Sequence, residues 1–152
     1  MPNLITLLNF FSLNNFRIFF FLDQNCLNSL NKCYNLYFMK KEDLPKILPV
    51  FPLSNFIIFP RTTVPLNIFE PRYIEMIDQS MRSNRIIGMI QPKKTGELKK
   101  PDLHKIGCAG KITSFNETDD GRYLIVLNGV CRFRIKNEVN NGNLFRECEV
   151  RY

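Results

Sequence analysis

Tryptophan is absent from this chain and histidine occurs once, at His104. A single imidazole cannot build a His-based triad or a multi-His metal centre, so those chemistries are excluded at the outset. Glycine is scarce as well, with seven in 152 residues, and none falls in the Gly-x-x-x-x-Gly-Lys-Ser/Thr spacing that cradles phosphates. ATP hydrolysis by this chain is therefore not expected. Ser12, Ser29, Ser54, Ser80, Ser83 and Ser114 all lack a Gly-x-Ser-x-Gly setting, and the mere presence of Ser and Lys does not define a dyad. Proteolysis is not expected either. Cys26, Cys33, Cys108, Cys131 and Cys148 are odd in number and irregular in spacing, which rules out a complete disulfide framework within one chain and points to a reducing cytoplasm. No Cys-x-x-Cys pair occurs, so Cys108, Cys131 and Cys148 read as buried structural thiols rather than zinc ligands. Glu70 with Glu75, and Asp119 with Asp120, are explained by cap and turn roles without general acid or base work. The expectation is a chain that is not an enzyme, with no catalytic residue, no cofactor and no metal.

Charge is nearly missing from the first 38 residues, where Arg17, Asp23 and Lys32 stand among eight Asn and seven Phe. No basic start or small-residue cleavage site marks a signal peptide there, and no apolar run approaches the ~20 residues that span a bilayer. A transmembrane helix is rejected. Because Met39-Lys-Lys-Glu-Asp43 reads as a natural polar start, residues 1–38 are expected to be upstream sequence outside the native protein. The rival reading is a weak helix lying on a membrane or on the domain. The formal net charge of +7 resides almost entirely beyond this leader, with Lys93, Lys94, Lys99, Lys100 and Lys105 gathered in one stretch. That stretch reads as a solvated loop rather than a nucleic-acid patch, since no aromatic residue is interleaved to stack on bases.

What is present is a series of short apolar runs. Ile47–Leu53 and Asn55–Phe59 read as edge or bent strands, punctuated by Pro52, Ser54 and Pro60. In the next run Val64, Leu66 and Ile68 alternate with Pro65, Asn67 and Phe69, the period of a half-buried strand. Pro71 then suits a first helical position, and the spacing predicts a helix over 72–84 that aligns Tyr73, Ile77 and Asn84, with Ile74 and Met81 beside them. Arg82 and Arg85 would face its negative end. Ile86–Ile90 is a strand, and Gln91–Lys105 reads as a polar connection with no structure of its own. Beyond it, alternation from Ile106 to Thr113, a turn at 116–121, and a strand from Tyr123 with a break or bulge at Gly129 predict a hairpin. Cys131, Phe133 and Ile135 then oppose Arg132, Arg134 and Lys136, and a turn at 140–142 leads to a last strand over 144–152. The fold class is mainly β with one packed helix (α+β), a small β-barrel or folded sheet over residues 46–152.

The ordered set Leu48-Pro-Val-Phe-Pro-Leu53, Phe59-Pro60 and Pro65-Leu-Asn-Ile-Phe-Glu-Pro-Arg-Tyr73 resembles the N-terminal, substrate-binding domain of the Lon proteases, which also occurs alone in small bacterial proteins. Gly107, Ala109, Asp120-Gly-Arg-Tyr123, Gly129 and Arg132-Phe-Arg134 continue the same order, so the resemblance spans roughly 47–152. It implies a PUA-like β-barrel body with one helix, usually followed by a helical bundle that the chain's end at Tyr152 leaves out. A C-terminally truncated domain is the expectation. It also implies a non-enzymatic polypeptide-recognition module in protein quality control and proteolysis, with unfolded or client polypeptides as partners and room for a separate ATP-dependent protease. The alternative is an RNA-binding module, because PUA-like barrels include RNA binders and this chain is basic.

Phe56, Ile57, Ile58 and Phe59 are four consecutive large apolar residues that cannot all face one core. Those left outside would be available to bind apolar segments of clients. Arg72 and Tyr73, at the strand-to-helix corner, complete the candidate polypeptide-binding set, although Pro71 and the helix end explain that corner on structural grounds alone.

Overall fold

The computed structural model describes residue 39, residues 41–97 and residues 100–152. The expectations for residues 1–38 lie outside the described residues. A 3-10 turn at Lys41–Asp43 precedes β1 (Ile47–Pro52), β2 (Thr63–Ile68), helix α1 (Pro71–Met81), β3 (Ile86–Ile90), β4 (Pro92–Glu97), β5 (Lys100–Leu103), β6 (Ile106–Glu117), β7 (Tyr123–Val139) and β8 (Arg146–Arg151).

Six strands form one sheet in the order β2-β7-β6-β3-β1-β8, and β7 pairs with β8 as well. That second pairing is possible because β7 is 17 residues long. Its first half lies between β2 and β6, whereas residues 134–139 turn to β8. The pairings therefore return to their start through β1, β3, β6, β7 and β8, and the sheet is folded back on itself with β2 as an added outer strand. Pro65 in that outer strand leaves no central ladder bond unmade. All pairings in this sheet are antiparallel except β1 with β3. Ala109 faces Cys131 while Gly110 faces Gly129, so Val130 has no opposite number and the expected bulge lies beside Gly129.

The fold-back gives β3 two buried faces. Ile86 and Ile90 join Leu48, Val50, Ala109, Phe133, Cys148 and Val150 in one apolar cluster. Ile87 and Met89 belong to the other, with Phe51, Ile68, Tyr73, Met76, Ile77, Ile125 and Leu127. Phe133 fits only because two facing positions lack a side chain: a Cβ at Gly88 would lie 2.9 Å from its ring, and one at Gly107 2.6 Å.

Helix α1 ends three residues before the predicted stop. Arg82 caps it, Arg85 takes a left-handed conformation with φ 60°, and the Asn84 Oδ1 accepts the Ile86 N–H at 3.0 Å rather than facing the core. The buried stripe is Tyr73, Met76, Ile77 and Ser80. Ser80 is accommodated there because its hydroxyl donates to the Met76 carbonyl at 2.7 Å. Tyr123 ties the helix to β7 by donating its hydroxyl to Asp78 Oδ1 at 3.0 Å.

Two expectations are corrected. Residues 55–59 form no strand: Asn55 turns the chain with φ 59° and the segment runs without a ladder. Gln91–Lys105 is not structureless, since β4 and β5 pair as a hairpin. Its Pro- and Lys-rich composition hides this, and tertiary anchors supply the order. The His104 N–H donates to the Gln91 carbonyl at 3.0 Å, and the Arg146 guanidinium donates to the Pro101 carbonyl at 2.6 Å.

Candidate functional site

The segment 56–59 crosses the folded sheet as an arm fixed at its far end. Thr62 donates its hydroxyl to the Phe59 carbonyl at 2.7 Å, the Arg61 N–H donates to the Gly129 carbonyl at 2.8 Å, and the Gly129 N–H donates to the Thr62 carbonyl at 2.8 Å. A Cβ on Gly129 would run into the Phe59 carbonyl. Gly129 thus serves as the seat of the arm in addition to standing at the bulge.

Along the arm the side chains alternate between core and water even though no strand is formed. Ile58 is 4% exposed, whereas Ile57 is 57% and Phe59 59% exposed. Phe56 is half-buried and packs against the helix-side cluster. Arm, β3 and the start of β6 enclose an open groove of about 550 Å³, inside the roughly 300–1,000 Å³ range of ligand sites. Its apolar lining comprises Phe56 to Phe59 together with Met89, Ile90, Ile106 and Cys108. Ile106 is itself 52% exposed, so three solvent-facing apolar side chains converge on one depression. Gln91, Gly107 and the basic residues Lys93, Lys105 and Arg132 with His104 also line it, and among the described residues the lining contains no Asp or Glu.

The predicted site residues divide. Phe56, Ile57, Ile58 and Phe59 all border the groove, but Ile58 is a core anchor rather than an accessible contact. Arg72 and Tyr73 do not line it. Arg72 pairs with Glu70 at 2.7 Å and lies 4.6 Å from the centre of the Tyr73 ring. Tyr73 is buried with its ring 4.3 Å from that of Phe51. Burial raises the Tyr73 phenol above its ordinary value, against the opposing effect of Arg72. Tyr73 thus packs inward, as the structural account of the corner expects, while Arg72 stays exposed outside the groove. Ile106, Lys93, Lys105 and Arg132 were not foreseen as site residues. For Arg132 the signal was available in its alternation with Phe133, whereas the convergence of the two lysines depends on the β4–β5 hairpin.

The floor of the groove is chemically quiet. Burial pushes the Cys108 thiol up to about 12, and the Cys131 beside it adds to the rise. A thiol held in its protonated form is a poor nucleophile and a poor metal ligand. Among the described residues no three His, Cys, Asp or Glu side chains converge as a metal site would require. No helix among them is long and apolar enough to cross a membrane. The groove can offer apolar contact and positive charge.

Comparison with known proteins identifies the family of this domain. Residues 47–152 match the family described as the ATP-dependent protease La (LON) substrate-binding domain. The Lon protease of Desulfosudis oleivorans is 35% identical over 100 residues, covering 63% of this chain and 12% of that protein. The Lon protease of Flavobacterium johnsoniae is 31% identical over 104 residues, covering 67% of this chain and 13% of that protein. The chain thus spans about an eighth of such relatives. Among solved structures, a Lon N-terminal domain protein from Xanthomonas campestris superposes with a TM-score of 0.55 at 26% identity, over 69% of this chain and 58% of that one. The N-terminal domain of the Mycobacterium avium complex Lon protease gives 0.53 over 70% of this chain and 54% of that one, and at 19% identity it speaks to the fold alone.

Proposed function

This chain belongs to the Lon substrate-binding domain family, and we propose that it recognises unfolded polypeptides by laying their apolar side chains in the groove between Ile57, Phe59 and Ile106. The matched region is the substrate-binding part of that family and not its ATPase or peptidase part. We therefore infer a non-enzymatic module that presents clients to an ATP-dependent protease, linked or separate, in the cytoplasm. The observation that carries the reading is the convergence of three exposed apolar side chains on one depression. Isolated exposed apolar residues are common on any surface, but a contiguous patch framed by polar groups marks an interaction site.

An RNA-binding role is not favoured. Among the described residues of the groove lining the aromatic side chains are Phe56 and Phe59 of the arm, and Phe133, which follows the rim cation Arg132 in β7, is buried. No basic strand there offers bases a stacking platform.

Titrating labelled casein, as an unfolded polypeptide, with the full chain by fluorescence anisotropy tests the proposal. The double substitution Ile57→Ser, Phe59→Ser should weaken binding about tenfold or more, the scale of losing a hot-spot pair. Arg72→Ala should leave affinity unchanged. Equal affinity of the double variant and the wild type would sink the reading.

A further inference from the structure

The rim of the groove carries a charge pattern that apolar recognition alone does not require. Lys93 comes from β4, His104 and Lys105 from the connection between β5 and β6, and Arg132 from β7. Four side chains from three separate places in the chain thus border one apolar floor. Among the described residues the lining includes no carboxylate, and the ion pairs between described residues engage Arg72, Arg122, Lys136 and Arg146. Lys93, His104 and Lys105 also border a neighbouring depression with Asp102, Glu138 and Arg146, where the Arg146 guanidinium already engages the Glu138 carboxylate.

We propose that the groove selects extended client segments in which an apolar side chain lies within a few residues of a carboxylate. This rests on the groove being the polypeptide site. Lys93, Lys105 and Arg132 place like charges around an apolar floor and repel one another, and among the described residues that floor's lining holds no carboxylate. An occupant that brings a carboxylate relieves that repulsion, and the apolar floor keeps the attraction less screened than it would be over open water. The same arrangement rejects a Lys- or Arg-flanked segment, so it discriminates by repulsion as well as by attraction. The occupant is a polypeptide rather than a small amphiphile because the matched family is the substrate-binding domain of a protease.

Three short labelled peptides sharing one Leu-Phe centre and differing only in their flanks, Glu, Gln or Lys, distinguish the possibilities when titrated with the full chain. The order of affinity should be Glu, then Gln, then Lys. Glu should exceed Gln by roughly threefold to tenfold at about 50 mM salt, the size of one or two exposed ion pairs, and the gap should narrow at about 300 mM. The double substitution Lys105→Glu, Arg132→Glu should reverse the order. If circular dichroism shows that this variant is unfolded, Lys93→Gln with Lys105→Gln should still shrink the gap. Equal binding of the three peptides, all lost in the Ile57→Ser, Phe59→Ser variant, would overturn the charge preference while leaving the groove as the polypeptide site. Binding insensitive to that variant would overturn both. Displacement of the Glu peptide by single-stranded RNA, with a steep salt dependence, would overturn both in favour of a nucleic-acid site.

Discussion

β1 and the arm at 56–59 have nearly the same composition and opposite fates. β1 is paired on both edges, to β3 in parallel and to β8 antiparallel, and Leu48, Val50 and Phe51 are all buried. The arm, only a few residues later, makes no ladder and leaves Ile57 and Phe59 in solvent. The inward-facing side chains of β1 are thus buried on a backbone held in the sheet, while Ile47 at its outer end stays 47% exposed. An apolar run without strand partners is carried to the surface with one residue, Ile58, as its anchor. The contrast separates residues that hold the fold from residues free to hold something else.

The largest expected effect comes from attacking the sealed side of the contrast. Phe133 fills the cluster that β1 closes, so Phe133→Ala should destabilise the chain by about 3–5 kcal/mol in urea denaturation, because the glycines beneath the ring cannot collapse into the void. A loss below about 1 kcal/mol would show that the cluster is loosely packed. Gly129→Ala should act on the other side. Its Cβ meets the Phe59 carbonyl, and overpacking of this kind costs about 1–3 kcal/mol. Because the insult falls on the arm's seat, peptide affinity should fall with it, unlike the outcome of a surface change on β8.

Alkaline pH should give a smaller loss that draws on both regions. Burial raises the Cys108 thiol beside the groove to about 12 and the Cys148 thiol opposite β1 to about 11, from an ordinary value of 9.0. Below that ordinary value both thiols are protonated whether the chain is folded or not, and the stability they contribute is complete. Above it the unfolded chain releases protons that the folded chain retains, so stability should fall progressively as pH rises from 9 towards 11–12. Urea midpoints at pH 8 and about pH 10 should differ in that direction, and Cys148→Ala should reduce the difference. An unchanged midpoint in the wild-type chain would mean that water reaches both thiols.

Much of this architecture is legible in the residues. The period of two in Val64-Leu66-Ile68 and in Cys131-Phe133-Ile135 survives in the burial of β2 and β7, and Pro71 marks the first turn of α1. What could not be read follows from distant contacts. The β4–β5 hairpin is fastened by Arg146, which lies 45 positions from Pro101 in sequence and is held in a bidentate pair with Glu138 by hydrogen bonds of 2.9 and 2.6 Å. Local propensity carries no trace of such an anchor. Tyr73 was open to two readings, a residue of the packed stripe or a contact for a client. Aromatic residues at a helix start can face either way, and only the placement of Phe51 decides that this one turns inward. The groove was half visible, in the four apolar residues of the arm, and its basic rim was hidden because three separate elements assemble it.

The finest test of the contrast is a pair of matched truncations. Val50→Ala removes two methyl groups from a side chain with no exposed surface, and a loss of about 1–3 kcal/mol is expected for a void in a packed interior. Ile57→Ala removes more apolar volume from a side chain that is 57% exposed, yet stability should change by no more than about 0.5 kcal/mol. The larger deletion should have the smaller effect, because water already occupies most of the space around Ile57. Client affinity should invert the ranking, falling for Ile57→Ala and holding for Val50→Ala under conditions where both stay folded. If Ile57→Ala instead costs as much stability as Val50→Ala, the arm is packed against something in the folded chain, and the trough it borders is closed to a client.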